Sequence, residues 1–288
     1  MIVALELGLI FSIMSIGIFI TFKILNLPDL TIDGSYTLGG VVAAIFTINN
    51  HPFLGIAMGM MAGAVAGLFT GLLHTKLRID AILSGILVMT GLYSINLRIL
   101  DKPTISIYGK NDIYTVFSRF LPYGYEKLII NAIIVIIIAV IIFCFFKTQI
   151  GMSLIATGDN EDMVRASSIN ADLMKIIGLM IGNSCVALSG AIMVSQVGFA
   201  DISSGTGMMI IGIASIIVGE ALFGRKSLLI CFIGVIVGAV LYRYILTIAY
   251  NLGFGAGDLK LISAVLVIIA IGLPNIKKLV GGRKNVKS

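Results

Sequence analysis

The chain has 288 residues, 58% hydrophobic and 12% charged, whereas a soluble domain is about a quarter charged. A water-soluble fold is excluded. The formal net charge of +6 does not point to nucleic acid, because the basic residues sit between apolar runs and within the last dozen residues, where they act as topology signals.

The apolar residues gather into runs of roughly 16 to 23, the length that crosses about 30 Å of hydrocarbon as a helix. Barrel strands would alternate, and runs such as IINAIIVIIIAVIIFCFF do not. The expected fold is therefore all-α, a polytopic membrane helical bundle. It has about nine spans, over 3–22, 34–49, 53–73, 80–98, 128–146, 175–196, 207–223, 227–249 and 257–274. The N-terminal run lacks a basic start and a small-residue cleavage site, and Glu6 replaces the positive charge of a signal peptide, so it reads as a retained span. With no linker, internal repeat or low-complexity segment, residues 1–288 read as one transmembrane domain.

After the first span the chain passes LNLPDLTIDGSYTLGG, and the next apolar run of about sixteen residues is too short to cross untilted. Part of this polar segment is therefore expected at membrane depth, as a broken helix whose backbone is satisfied by protein or a water-filled cavity. Pro28, Gly34, Gly39 and Gly40 fit such a break; an ordinary loop with a helix cap at Asp33 or Ser35 is the competing reading. In the third span Gly55, Gly59, Gly63 and Gly67 recur every four positions, which predicts a close helix contact.

Two connections are long. The first, about 99–127, carries five basic residues if the helix end at Arg98 is included; the second, about 147–174, reads KTQIGMSLIATGDNEDMVRASSINADLMK. In the second, Asn160 and the acids after Gly158 make a helix start, predicting a short helix from about 160 to 167. It would display Met163, Val164 and Ala166 and stop near Ser167 to Asn170. A short surface helix with apolar knobs suits insertion into a groove of a partner, though a solvated loop helix has the same spacing.

Of the 20 Lys and Arg, about 13 fall on the side of the 147–174 connection, including those of the tail at about 275–288. The positive-inside rule then puts the N-terminus outside and the C-terminus in the cytoplasm. Glu220 and Arg243 lie within spans but near their ends, which favours snorkelling or an inner-face contact over a proton relay. Polar uncharged residues within spans, among them Ser84, Thr90, Tyr93, Ser94, Asn183 and Gln196, either line a cavity or bond between helices. The three cysteines each lie in an apolar run, and no metal spacing or cofactor motif occurs.

The run GDNEDMVRASSIN, residues 158–170, closely resembles the cytoplasmic coupling loop of the permease subunits of ABC importers of the ribose and branched-chain amino-acid class. Asp29, Leu30 and Thr31, followed by Gly34 and Ser35, resemble that class's D-L-S-x-G-S segment, with Asp33 as one extra residue. Gly205, Thr206 and Gly207, then Ile213 to Gly219 and the turn Leu222 to Arg225, resemble its G-T-G and A-A-V-V-x-G runs and its L-x-G-G turn. The matches cover nearly the whole chain in order. Compared with ten-span sugar permeases the first span is missing, which also puts the N-terminus outside.

The resemblance implies a non-catalytic permease that moves a small solute by alternating access. It works as a homodimer with a cytoplasmic ABC ATPase and an extracellular substrate-binding lipoprotein. It looks most like the group whose lipoprotein binds aromatic amino acids such as tryptophan or tyrosine. The implied ATPase-coupling residues are Gly151, Gly158, Asn160, Glu161, Met163, Val164, Arg165 and Asn170; the candidate translocation pathway is Asp29, Thr31, Asp33, Ser35, Ser94, Asn183, Gln196 and Ser215. No phosphate-binding G-x-x-x-x-G-K-[ST] loop is present, so ATP hydrolysis is expected in a separate protein. An ion-coupled carrier or channel is the alternative. It would show paired intramembrane charges and inverted repeats, and little of either is found.

Overall fold

A computed structural model of the chain describes residues 1–117, 122, 124–224, 227–253, 261 and 265. Among these, seven helices are long and apolar enough to cross a membrane. The ninth expected span and the tail lie, but for residues 261 and 265, outside the described residues.

Helix α1 (Ile2–Ile18) runs on into a π-helical segment, Phe19–Ile24, and together they form one span. The wider turn ends the helix: Leu27 N–H reaches back to Thr21 O (2.9 Å) and Asn26 takes a left-handed φ of 58°. After residues 25–30 the chain restarts as α2 (Thr31–Ile48), followed by α3 (Pro52–Thr75) and α4 (Ala81–Leu100). The expected break therefore lies at 25–30. Gly34, Gly39 and Gly40 do not belong to it but sit inside α2, where their bare backbone lets other helices approach.

A short α5 (Ile113–Phe117) precedes α6 (Glu126–Phe146), then α7 (Gln149–Asp159), α8 (Glu161–Ala166), α9 (Ala171–Val197), α10 (Met208–Phe223) and α11 (Leu228–Asn251). Strands β1 (Thr104–Ser106) and β2 (Phe199–Asp201) pair antiparallel and tie the 99–127 connection to the end of α9. At three residues each they are too short for an alternating pattern to announce them.

Helices α1, α2 and α9 form the buried centre, while α4 and α6 turn most of their surface outward. Helix α9 packs on α1, α2, α3 and α7. The α3 glycines make the contact expected of them. A Cβ at Gly63 or Gly67 would lie 2.5 Å from Asn183 O or 2.3 Å from Leu179 O, so α3 and α9 touch backbone to backbone. Helices α4, α7, α8, α9 and α11 all start with a side-chain cap, from Asp80, Thr148, Asn160, Asn170 and Ser227. Free N–H groups at a helix start need such partners.

Candidate functional site

The break after α1 is held by a buried hydrogen-bond network. Asp29, only 1% exposed, accepts from Thr31 N–H (2.9 Å) through Oδ1 and from Asn183 Nδ2 (2.6 Å) through Oδ2. Ser35 Oγ donates to Asn183 Oδ1 (2.7 Å), and the hydroxyls of Thr31 and Thr70 share a hydrogen bond of 2.6 Å. Three helices and the break are thereby joined. Asn183 lies about 18 Å along α9 from its start at Ala171, at 1.5 Å per residue, near the middle of a helix long and apolar enough to cross a membrane. The groups of the polar segment are satisfied by protein, as hydrocarbon requires.

A second break meets the first. Helix α10 has 16 residues, about 24 Å, which is short of a full crossing. Its first turn would leave bare N–H groups within the membrane. The Asp33 carboxylate supplies the cap, accepting from Gly207 N (2.8 Å) and Met209 N (2.9 Å). Thr37 Oγ1 accepts from Gly205 N (3.0 Å). The two glycines are needed for different reasons: a Cβ at Gly205 would fall 1.9 Å from Asp33 O, and Gly207 has a φ of 87°. The D-L-T-x-D-G-S and G-T-G segments, some 170 residues apart, thus form one junction.

Beside this junction α2 and α4 border a cleft of about 370 Å³, whose lining includes Asp33, Thr37, Met89, Thr90, Tyr93 and Asn96. That volume falls in the range of small-molecule sites. Thr90 and Tyr93, polar candidates in the sequence, line it; Asn96, which spacing did not single out, lies one turn further along the same α4 face.

The other expected pathway residues lie elsewhere. Asp29, Thr31, Ser35 and Asn183 are buried in the network, and Ser94 is exposed on α4 outside the cleft. Gln196, at the far end of α9, donates to Glu6 (2.8 Å), and Ser215 is buried with its hydroxyl on Ile211 O (2.8 Å). Of the two charges read as lying within spans, Glu220 pairs with Lys23 (2.9 Å) at the end of the π-helical turn. The Arg243 guanidinium lies 5.2 Å from the Phe11 ring centre, a cation–π arrangement.

On the face that carries residues 147–170, α8 starts where the sequence predicted, with Asn160 Oδ1 accepting from Met163 N (3.0 Å). Helix α7 before it was not anticipated; the Gly and Thr residues in QIGMSLIATGD masked its helical pattern. Met163 is 56% exposed, but Val164, expected on the same display, is 1% exposed and turned inward, anchoring α8. Gly158 and Gly151 also face inward. A Cβ at Gly158 would lie 1.7 Å from Ile24 O, and one at Gly151 2.3 Å from Phe145 O, so both let the loop press against the bundle.

Glu161 binds Arg165 Nη2 (2.7 Å) and Lys175 Nζ (2.6 Å), and Arg165 also pairs with Asp172. The Lys175 hydrogen bond, with Arg165 assisting, holds the Glu161 carboxyl below its ordinary value. This chain of ion pairs fixes α8 to the first turn of α9, and Asn170 caps that turn through Leu173 N (3.1 Å). A depression of about 580 Å³ separates it from the α3–α4 turn, where Lys76 and Arg78 line the opposite wall.

The family of branched-chain amino acid transport system permease components matches residues 1–272. The chain is 39% identical to a tyrosine transport system permease protein of Clostridioides difficile (strain R20291), over 93% of this chain and 89% of that one. It is 26% identical to the ribose import permease protein of Escherichia coli (strain K12), over 93% and 83%. It is also 30% identical to an autoinducer 2 import system permease protein of Escherichia coli O9:H4 (strain HS), over 65% and 52%. No solved structure matches the chain. The network at Asp29, the junction at Asp33 and the short helix after Asn160 are thus set in a multi-pass membrane protein that belongs to the family of ABC transport system permease components.

Proposed function

We propose that the chain, as a single transmembrane domain, forms one half of a homodimeric importer. Its N-terminus is outside and its C-terminus in the cytoplasm. The cytoplasmic ABC ATPase is a separate protein that receives α8, with Met163 as the inserted knob. Asn160, Glu161, Arg165 and Asn170 hold α8 in its presenting geometry, and Gly151, Gly158 and Val164 seat it on the bundle. An extracellular binding lipoprotein delivers the solute to the opposite face.

Helix α9 carries this reading. Near its start it holds the Glu161–Lys175 pair, and about 12 Å further along it holds Asn183, the hub of the buried network. A push on α8 therefore has a rigid route to the junction of α2 and α10. Closure of the ATPase pair would move α8, tilt α9 and change access to the cleft between α2 and α4, a rigid-body switch of the kind known for alternating access. In this account Asp33 lines the pathway, while Asp29, Thr31, Ser35 and Asn183 support it from behind. Ser94, Gln196 and Ser215 play lesser parts.

The similarity to a tyrosine transport permease supports an aromatic amino acid as the solute. The test is ATP-driven uptake by the permease reconstituted with its ATPase and lipoprotein. Labelled tyrosine or tryptophan should accumulate and ribose should not. Met163→Asp should abolish co-purification of the ATPase without reducing permease yield. Retained complex and uptake in that variant would refute the coupling role.

A further inference from the structure

Glu220 is a charge that its own surroundings in the chain do not favour. It stands in the last turn of α10, where the negative end of the helix dipole repels an acid, and a charged side chain within a span is costly. It pairs with Lys23, 197 positions earlier, in the last turn of the π-helical segment, where a cation is favoured. The Lys23 and Glu220 side chains are 21% and 16% exposed and meet at 2.9 Å. A pair so far withdrawn from water adds little net stability, because desolvation offsets the attraction. What it contributes is position, and it does so on a π-helical turn, a feature frequent at functional sites.

The turn that carries Lys23 is also where the α7–α8 loop bears on the bundle. Ile24 O, one residue on, is the atom that a Cβ at Gly158 would approach to 1.7 Å. The helix that carries Glu220 leads to the junction beside the cleft. Asp33 caps its start at Gly207 and Met209, and about 17 Å of continuous helix separates Met209 from Glu220. Between these ends Gly212 lets α10 cross α1 closely, since a Cβ there would lie 2.1 Å from Ile18 Cδ1. Cβ atoms at Gly219 and Gly238 would lie 2.1 Å from Gly234 O and 2.2 Å from Ser215 O, so α10 and α11 touch backbone to backbone and move together.

We propose that the Lys23–Glu220 pair is a latch. It fixes the end of α10 nearest the α7–α8 loop to the π-helical turn of α1, and it passes displacement of that loop along α10 to Asp33 and the cleft. Lys23 and Glu220 are thus positioning residues for transport, and neither touches the solute. This rests on the importer reading and deepens it, because it adds a route through α1 and α10 to the one through α9.

The first experiment needs no transport. Hydrogen exchange is followed in the last two turns of α10, in the purified permease in lipid nanodiscs. Lys23→Met and Glu220→Gln should each speed exchange there by roughly 2- to 30-fold, and the charge exchange Lys23→Glu/Glu220→Lys should restore protection. Gly158→Ala pushes the loop off Ile24 O. It should speed the same amides in the wild type but add little in Lys23→Met/Glu220→Gln, where the latch is already open. Unchanged exchange in both single variants, or a Gly158→Ala effect of equal size with and without the pair, would overturn the latch.

The second experiment decides the matter even where Gly158→Ala fails to fold. It reads ATP hydrolysis and ATP-driven uptake of labelled tyrosine, tryptophan, leucine and ribose by the complex reconstituted with its ATPase and lipoprotein. With the latch broken the ATPase still docks on α8. Lys23→Met and Glu220→Gln should therefore keep most of the hydrolysis while uptake per ATP falls roughly 2- to 30-fold, and the charge exchange should recover it. Uptake and hydrolysis falling in proportion would make the pair a brace of the fold and overturn the proposal. No ATP-driven uptake of any of the four by the wild type would refute the importer reading for these solutes, and the exchange data alone would then uphold or overturn the latch.

Discussion

Exchanging the partners at the hub of the buried network separates a charge-assisted lock from mere packing. Asn183→Asp alone brings two carboxylates to the spacing now spanned by a 2.6 Å hydrogen bond. One of them must bind a proton or remain uncompensated, a cost of about 3–5 kcal/mol. Asp29→Asn alone keeps the acceptor for Thr31 N–H but sets its NH2 against that of Asn183, so the hydrogen bond is lost together with the charge, about 1–3 kcal/mol. The double variant Asp29→Asn/Asn183→Asp restores a carboxylate opposite an amide. The amide at 29 then accepts from Thr31 and donates to 183, where the second oxygen still accepts from Ser35. The bond to Leu179 O (3.0 Å) is lost, and an oxygen of the carboxylate at 183 comes to face that carbonyl. The pair should therefore stay within about 2 kcal/mol of wild type, a coupling of at least about 2 kcal/mol. Thermal unfolding of the purified protein in one detergent at neutral pH reads this directly. At about 2–4 °C per kcal/mol, Asn183→Asp should lower Tm by roughly 6–20 °C and the double variant by only a few degrees. Additive losses, or a single-variant loss under about 1 kcal/mol, would refute the lock.

Two glycines should respond with opposite signs. A Cβ at Gly39 would lie 2.0 Å from Ala187 O, so Gly39→Ala must part α2 from α9 and cost about 1–3 kcal/mol or more. Gly91 has nothing within 4 Å, so Gly91→Ala should raise stability by about 0.5–1 kcal/mol through helix propensity. The inward and outward residues of α8 should likewise separate. Val164→Asp should loosen α8 and increase its proteolysis, whereas Met163→Asp should leave proteolysis unchanged. Finally, because the Glu161 carboxyl is held below its ordinary value of 4.5, its contribution is complete above that pH and is lost as pH falls through the lowered value. Hydrogen-exchange protection of α8 should stay flat from about pH 8 to about pH 5 and drop only in stronger acid. Glu161→Gln should remove the acid step and lower protection throughout.

The helices were legible because hydrocarbon imposes a length and forbids bare backbone, so apolar runs mark spans without knowledge of their neighbours. The α3 glycines could be read for the same reason, since a four-residue repeat has one geometric meaning on a helix. The polar residues were harder. Asp29 and Asp33 both stood out, yet only Asp33 reaches the cleft; the difference lies in which helix each carboxylate meets, and that is set by contacts some 150 to 175 positions away. Asn96 gave no signal because a lone amide in an apolar run looks like any interhelical bond. Val164 was misread because a six-residue helix leaves too few turns to define a face.

The pairing of early and late segments has a consequence for biogenesis. Asp29 and Asp33 enter the membrane with the second span, but their partners lie 154 to 176 residues later in the chain. At about 5–20 residues per second, the two carboxylates wait roughly 10–30 s before Asn183 and then Gly207 and Met209 emerge. During that interval the second helix must be sheltered by the insertion machinery or by water. A ribosome stalled before α9 would leave a membrane intermediate with two unmet acids, which quality control can recognise. A part of the chain that is made late therefore completes a part that is inserted early.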